Sequence, residues 1–196
     1  LKSTITGYAA MLRRAGFKLR VAAPVEFAYA NLLRRYEAAH PGEAGREICI
    51  IDIGHTATRV HIFSGSRFEV TRVIDLGCAA LDAVIADQLH VDEHIAAEYK
   101  IRNHNDVQAL EGCLNIYHSI AVEIMRAINF YGFNNPDSHL TDAFTCGGGA
   151  MIPLLVEDIG STIGLTLRSI KELMPPGGRN REHLILYPAA AGITQQ

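Results

Sequence analysis
The chain has 196 residues, 48% hydrophobic and 20% charged, a globular composition long enough for one full core or two small domains. A formal net charge of -3 with scattered basic residues leaves no electrostatic footprint for nucleic acid. No apolar run approaches the roughly 18 residues of a membrane span, so direct membrane insertion is not expected.

In chain order, residues 3–15 read as a helix with Ile5, Tyr8, Ala9 and Leu12 on one side and Gly16 as its stop. Phe17–Ala23 alternates and predicts a short strand. Pro24-Val25-Glu26 opens a second helix that runs to about Ala39, and residues 40–45 form a loop. Three strands follow, at about 46–53, Arg59–Phe63 and 67–75, as an antiparallel meander with tight turns at Gly54–Thr56 and Ser64–Ser66. Helices are expected at about 78–90, 93–103 and 105–132, the last with one apolar stripe from Val107 to Ile128. Leu140–Thr145 is a strand, followed by three glycines and a helix from Ala150 to Ile159. A strand near Leu165–Ser169, a Pro- and Gly-rich loop at 175–178 and a helix from about Ala189 complete a mixed α/β layout. The four cysteines form no CxxC and predict buried free thiols in a reducing cytoplasm. The chain starts at Leu1 without Met or a signal peptide, and an excised part of a longer protein is expected.

Two places carry chemistry. In Ile48–Arg59, ICIIDIGHTATR, an apolar strand buried on both faces delivers Asp52 at its end, then Gly54 and the hydroxyls of Thr56 and Thr58. Gly54 lets a turn approach a ligand closely, and Gly54 through Thr58 can point backbone N–H groups at a phosphate. Asp52 suits Mg²⁺ held through water, since Mg²⁺ dehydrates reluctantly. The alternative is a capped turn with no ligand. Downstream, Gly147-Gly148-Gly149 follow a strand and precede a helix, where a ligand can lie against bare backbone. A tight strand-to-helix turn at positive φ explains one glycine, not three in a row. A rival motif, His90-Val91-Asp92-Glu93-His94, fits the inverted zinc-peptidase pattern H-x-x-E-H. It needs His90, Glu93 and His94 on one helix, whereas Asp92 reads as the N-cap of a new one.

With these motifs in order, the chain resembles the actin-like ATPase superfamily, whose fold is ribonuclease H-like, and more closely its PilM/FtsA branch. VAAPVEFAYANLL (21–33) looks like the strand and connecting helix before the second half. ICIIDIGHTAT looks like the second phosphate motif, and residues 68–100 are similar to the strand, the glycine turn at Gly77 and the helix pair ending in Lys100. Residues 127–155 look like the long helix and adenosine motif, and LYPAAAGITQQ (186–196) is similar to the second connecting motif.

The resemblance implies the second half of an actin-like fold, with a mixed sheet and flanking helices. Residues 1–45 would be the tail of the first half and its connecting helix. Residues 46–196 would form the nucleotide-binding half, with 46–77 and 139–196 as the sheet layer and 78–138 mainly helical. It implies ATP and Mg²⁺ bound by Asp52, Gly54, His55, Thr56, Lys100 and Gly147–Gly149, with Asp52 on the metal. Three departures stand out. The first phosphate loop is missing, His55 replaces a small residue, and Ala97 stands where FtsA-like members carry Glu. Glu98, one residue on, is instead placed to pair with Arg102.

The implied function is a cytoplasmic scaffold of type IV pilus assembly, peripheral to the inner membrane. It would dock on the cytoplasmic tail of a PilN-like inner-membrane protein and self-associate as a homo-oligomer, with ATP setting conformation more than driving turnover. The alternatives are an FtsA-like division protein, an active ATPase or chaperone-like enzyme, and the zinc peptidase.

Overall fold
The computed structural model describes residues 2–174 and 181–194. Its elements in chain order are α1 (Lys2–Arg14), α2 (Val25–Ala39), β1 (Glu47–Ile53), β2 (Thr58–Ser64), β3 (Arg67–Ile74), α3 (Ala79–Leu89), α4 (Glu93–Arg102), α5 (Glu111–Asn134), β4 (Asp142–Cys146), α6 (Pro153–Ile163), β5 (Thr166–Ser169) and α7 (Pro188–Ile193). The strands form one mixed sheet in the order β3-β2-β1-β4-β5. β1, β2 and β3 are an antiparallel meander, whereas β1, β4 and β5 run parallel.

The sheet lies between two apolar layers, and β1 explains why. Cys49, Ile51 and Ile53 alternate into one core with Val60, Ile62, Leu81, Ile85, Ile124 and Leu155, which brings in α3, α5 and α6. Ile48 and Ile50 face the other way, into a core with Tyr29, Leu32, Leu33, Phe63 and Phe144 beneath α2. The period-2 alternation of a strand therefore feeds both cores, as the near-continuous apolar run requires. Burying each such isoleucine contributes roughly 1.5–3 kcal/mol. On the α2 side, α7 crosses very closely. A Cβ on Gly192 would collide with the Ala28 carbonyl, and Asn31 Nδ2 donates to Gly192 O at 3.2 Å.

Three expectations need correction. Phe17–Ala23 has no regular structure, because among the described residues no neighbouring strand offers it hydrogen bonds and nearly all of it is exposed. The helix expected over 105–132 begins only at Glu111. Asn103, Asn105 and Asp106 all take positive φ, and Asn103 bonds locally, donating to Asp106 Oδ1 and accepting from Gln108 N. Short polar side chains that bond their own backbone compete with helix and tolerate the left-handed region. The helix expected from Ala150 is a single 3-10 turn over Gly148–Met151, and α6 starts at Pro153, a favoured first position. α1 forms where expected and buries no residue, with Ala9 and Leu12 half-buried. The 175–178 loop lies outside the described residues. All four cysteines are buried and free. Among the described residues no helix is long and apolar enough to cross a membrane.

Candidate functional site
Sheet topology sets the place. From β1 the chain steps outward to β2 and β3, and from β4 it steps outward the other way to β5, so the strand order reverses between β1 and β4. In open α/β sheets such a switch point opens a crevice outside the carboxyl ends of the strands. Here β1 ends at Ile53 and β4 at Cys146, side by side, with Asp52 opposite Cys146 in register. The two glycine turns, more than ninety residues apart in sequence, are thereby neighbours.

The first turn is held rigidly. Gly54 N donates to Ala57 O, a Cβ on Gly54 would sit 2.8 Å from that same oxygen, and Thr58 Oγ1 donates to Leu76 O at 2.9 Å. From behind, Cys78 N donates to Gly54 O at 3.0 Å and Ala79 N to His55 O at 2.7 Å. Gly77 is the residue that permits this. Its Cβ would lie 2.6 Å from His55 O and 2.7 Å from Ala57 N. His55 and Thr56 remain exposed at the tip. The imidazole leans toward α3, with Nδ1 3.8 Å from Asp82 Oδ2.

Lys100 lies beneath this turn. Its side chain is 10% exposed, its Nζ is 2.6 Å from Asp82 Oδ1, and it donates to Cys78 O at 3.1 Å. The ammonium thus reaches the turn through a single residue, since Cys78 accepts from Lys100 and donates to Gly54. Glu98 is on the surface, where it pairs with Arg102 at 2.7 Å.

The three glycines of the second turn have three different environments. Gly147 has φ +86, and a Cβ there would meet Ile53 O at 2.5 Å and Asp52 Oδ1 at 2.7 Å. Its N–H is already donated to Ile185 O at 2.9 Å. A Cβ on Gly149 would collide with the Ile53 side chain. Gly148 is exposed, its φ is not positive, and nothing lies within 4 Å of where a Cβ would be. Packing therefore accounts for Gly147 and Gly149. Among the described residues nothing packs against Gly148, whose bare backbone is exposed.

Asp52 is half-buried on the α2 side of the sheet. Its Oδ2 accepts from Tyr29 Oη at 3.3 Å, and Tyr29 Oη is 3.6 Å from Cys146 Sγ. Burial, reinforced by the neighbouring Cys146 and Asp52, drives the Tyr29 phenol far above its ordinary range, so it stays protonated. The polar seam continues to His61, whose ring centroid is 5.2 Å from that of Tyr29. Thr71 Oγ1 donates to Glu26 Oε1, so it must accept from His61 Nδ1–H at 2.7 Å. Among the described residues His61 Nε2 has no partner. Sequence reading missed Asp82 and Tyr29 at this site. Asp82 had a weak signal, a carboxylate in the first turn of the helix after Gly77. For Tyr29 there was none, because its contact is made across the sheet.

The zinc motif is dispersed. His90 is in the left-handed conformation after α3, while Asp92 caps α4 by accepting from His94 N at 2.8 Å. His90 and His94 therefore belong to different elements, and among the described residues no three potential ligands converge on a metal.

A half-buried carboxylate, an exposed glycine backbone and an exposed hydroxyl at a switch point suit a nucleotide phosphate with its divalent ion. The family model for Type IV pilus assembly protein PilM matches residues 2–172. No curated protein matches the chain. Among solved structures, a PilM–PilN type IV pilus biogenesis complex aligns with TM-score 0.77 and 21% identity, over 97% of this chain and 57% of that one. The ethanolamine utilization protein EutJ from Carboxydothermus hydrogenoformans aligns with TM-score 0.67 and 17% identity, over 93% and 57% of the two chains. An archaeal actin homolog in complex with ADP aligns with TM-score 0.55 and 17% identity, over 84% and 54%. The fold is actin-like, and the chain spans little more than half the length of these relatives.

Proposed function
As the chain belongs to the Type IV pilus assembly protein PilM family, we propose that it is the half of an actin-like pilus-assembly scaffold that grips Mg·ATP between its two glycine turns. Asp52 holds the hydrated ion, His55 and Thr56, at the tip of the turn that Gly54 closes, offer backbone and hydroxyl to the terminal phosphates, and Gly147–Gly149 take the nucleoside side. Lys100 acts from behind, fixing the first turn through Cys78. Bound nucleotide supplies a charged strut between the turns, and the scaffold reads it as a conformation rather than hydrolysing it quickly. The partner is the cytoplasmic tail of a PilN-like inner-membrane protein, which places the scaffold in the cytoplasm against that membrane, with self-association into a platform. The neighbouring PilM–PilN complex supports the choice of partner.

One observation carries the nucleotide reading. Gly148, next in the chain to the Gly147 that abuts Asp52, is an exposed glycine against which no described residue packs. The test is calorimetric titration of the full-length protein with a peptide of the partner's tail, with and without Mg·ATP. Coupling of the usual size, about 1–3 kcal/mol, makes the two affinities differ by roughly five- to 150-fold. Equal affinities contradict the coupling, and absence of any ATP heat contradicts the site.

A further inference from the structure
Tyr29 lies outside both glycine turns, yet it touches the carboxylate assigned to the metal. It is 1% exposed on α2, and its hydroxyl lies 3.3 Å from Asp52 Oδ2 and 3.6 Å from Cys146 Sγ. The phenol donates its one proton to Asp52 Oδ2. That leaves the phenol oxygen to accept from the Cys146 S–H, and the three groups form one directed chain from thiol to phenol to carboxylate. Cys146 and Asp52 are register partners on β4 and β1, and Tyr29 comes from the helix packed over both. The ring is wedged against His61, 5.2 Å away between centroids, so the hydroxyl has little freedom. On the opposite side, Asp52 Oδ1 lies against Gly147, where a Cβ would be 2.7 Å away.

Resting on the assignment of Asp52 to the metal, we infer that Tyr29 is a positioning residue. Its hydroxyl ties down Oδ2 so that Oδ1 is presented, in one orientation, at the edge shared by the two turns. A carboxylate anchored by one oxygen meets a hydrated ion already oriented, whereas an unanchored one must be ordered when the ion arrives. The contact also links the site to α2, so that a shift of that helix would alter the metal ligand directly.

The test compares wild type, Tyr29→Phe and Asp52→Asn in the full-length protein. ATP affinity is measured by calorimetry with Mg²⁺ and again in excess EDTA, and each variant is read as the ratio of the two. The ratio belongs to the folded protein, so lost stability alone does not move it. Tyr29→Phe keeps the ring and removes only the hydroxyl. Losing one hydrogen bond to a charged group predicts a ratio reduced about tenfold, with affinity in EDTA unchanged. Asp52→Asn should abolish the Mg²⁺ advantage, and adding Tyr29→Phe to it should do nothing further, because the hydroxyl acts only through the carboxylate. A normal ratio in Tyr29→Phe together with a collapsed one in Asp52→Asn overturns the positioning role and spares the metal assignment. A normal ratio in Asp52→Asn overturns both.

Discussion
Lys100 and Asp82 form a buried ion pair at 2.6 Å, joining α4 to the first turn of α3 directly beneath the His55 tip. Both are less than a tenth exposed as residues, so each charge depends on the other. Removing one partner of a buried pair typically costs about 3–5 kcal/mol, whereas replacing both by apolar groups is often far milder. Lys100→Met should therefore shift the urea midpoint strongly downward. The double variant Asp82→Leu/Lys100→Met should recover much of that loss. A double variant that loses the sum of the Asp82→Leu and Lys100→Met losses would show that the pair is not energetically coupled.

The second turn gives a contrast between adjacent glycines. Gly149→Ala forces a methyl into Ile53 and should cost about 1–3 kcal/mol of stability. Gly148→Ala meets nothing, and its stability should stay within about 0.5 kcal/mol of wild type. If a phosphate lies against that backbone, Gly148→Ala nonetheless weakens ATP binding about tenfold, the size of one hydrogen bond to a charged group. Melting curves and ATP titrations on both variants separate packing from binding.

Burial holds the His61 imidazole below its ordinary range, and the nearby Arg59 adds to this while Glu26 and Asp52 oppose it. In the unfolded chain the same group titrates near 6.5. Between the two values the unfolded state binds more protons, so this contribution is fully present above about pH 6.5 and is lost as pH falls toward the folded value. Urea midpoints should fall between pH 7.5 and 5.5 (about the window in which free histidine charges). His61→Gln, which can still donate to Thr71 but does not titrate, should flatten that slope. Parallel slopes would assign the acid sensitivity elsewhere.

Much of this architecture is legible in the sequence because local rules decide it. The unbroken run Ile48–Ile51 specifies a central strand, Gly65 a hairpin turn at φ +58, and the spacing of Tyr117, Ile124 and Ile128 the buried stripe of α5. The pair of glycine turns is legible too, and the sheet brings them together. Other features depend on contacts that spacing does not encode. Asp82 and Lys100 meet only because α3 and α4 fold back on each other, and Tyr29 finds Asp52 only because α2 lies across β1. The false strand at Phe17–Ala23 has the alternation of a strand but no partner edge. The helix expected from 105 starts only at Glu111 because Asn103, Asn105 and Asp106, which flank His104, turn the backbone into the left-handed region.

The central claim is that Asp52 serves Mg·ATP rather than the fold, and one paired measurement addresses it. Wild type and Asp52→Ala of the full-length protein are melted and titrated with Mg·ATP on the same preparation. Asp52 is half-buried at a strand end, and its loss leaves the buried Tyr29 hydroxyl without its acceptor, a cost of about 1–3 kcal/mol that should lower the melting temperature modestly without unfolding the domain. Losing a direct or water-mediated carboxylate on the metal should weaken Mg·ATP at least about tenfold. A lowered melting temperature with unchanged Mg·ATP affinity would mean that Asp52 only secures its turn, and would contradict the account.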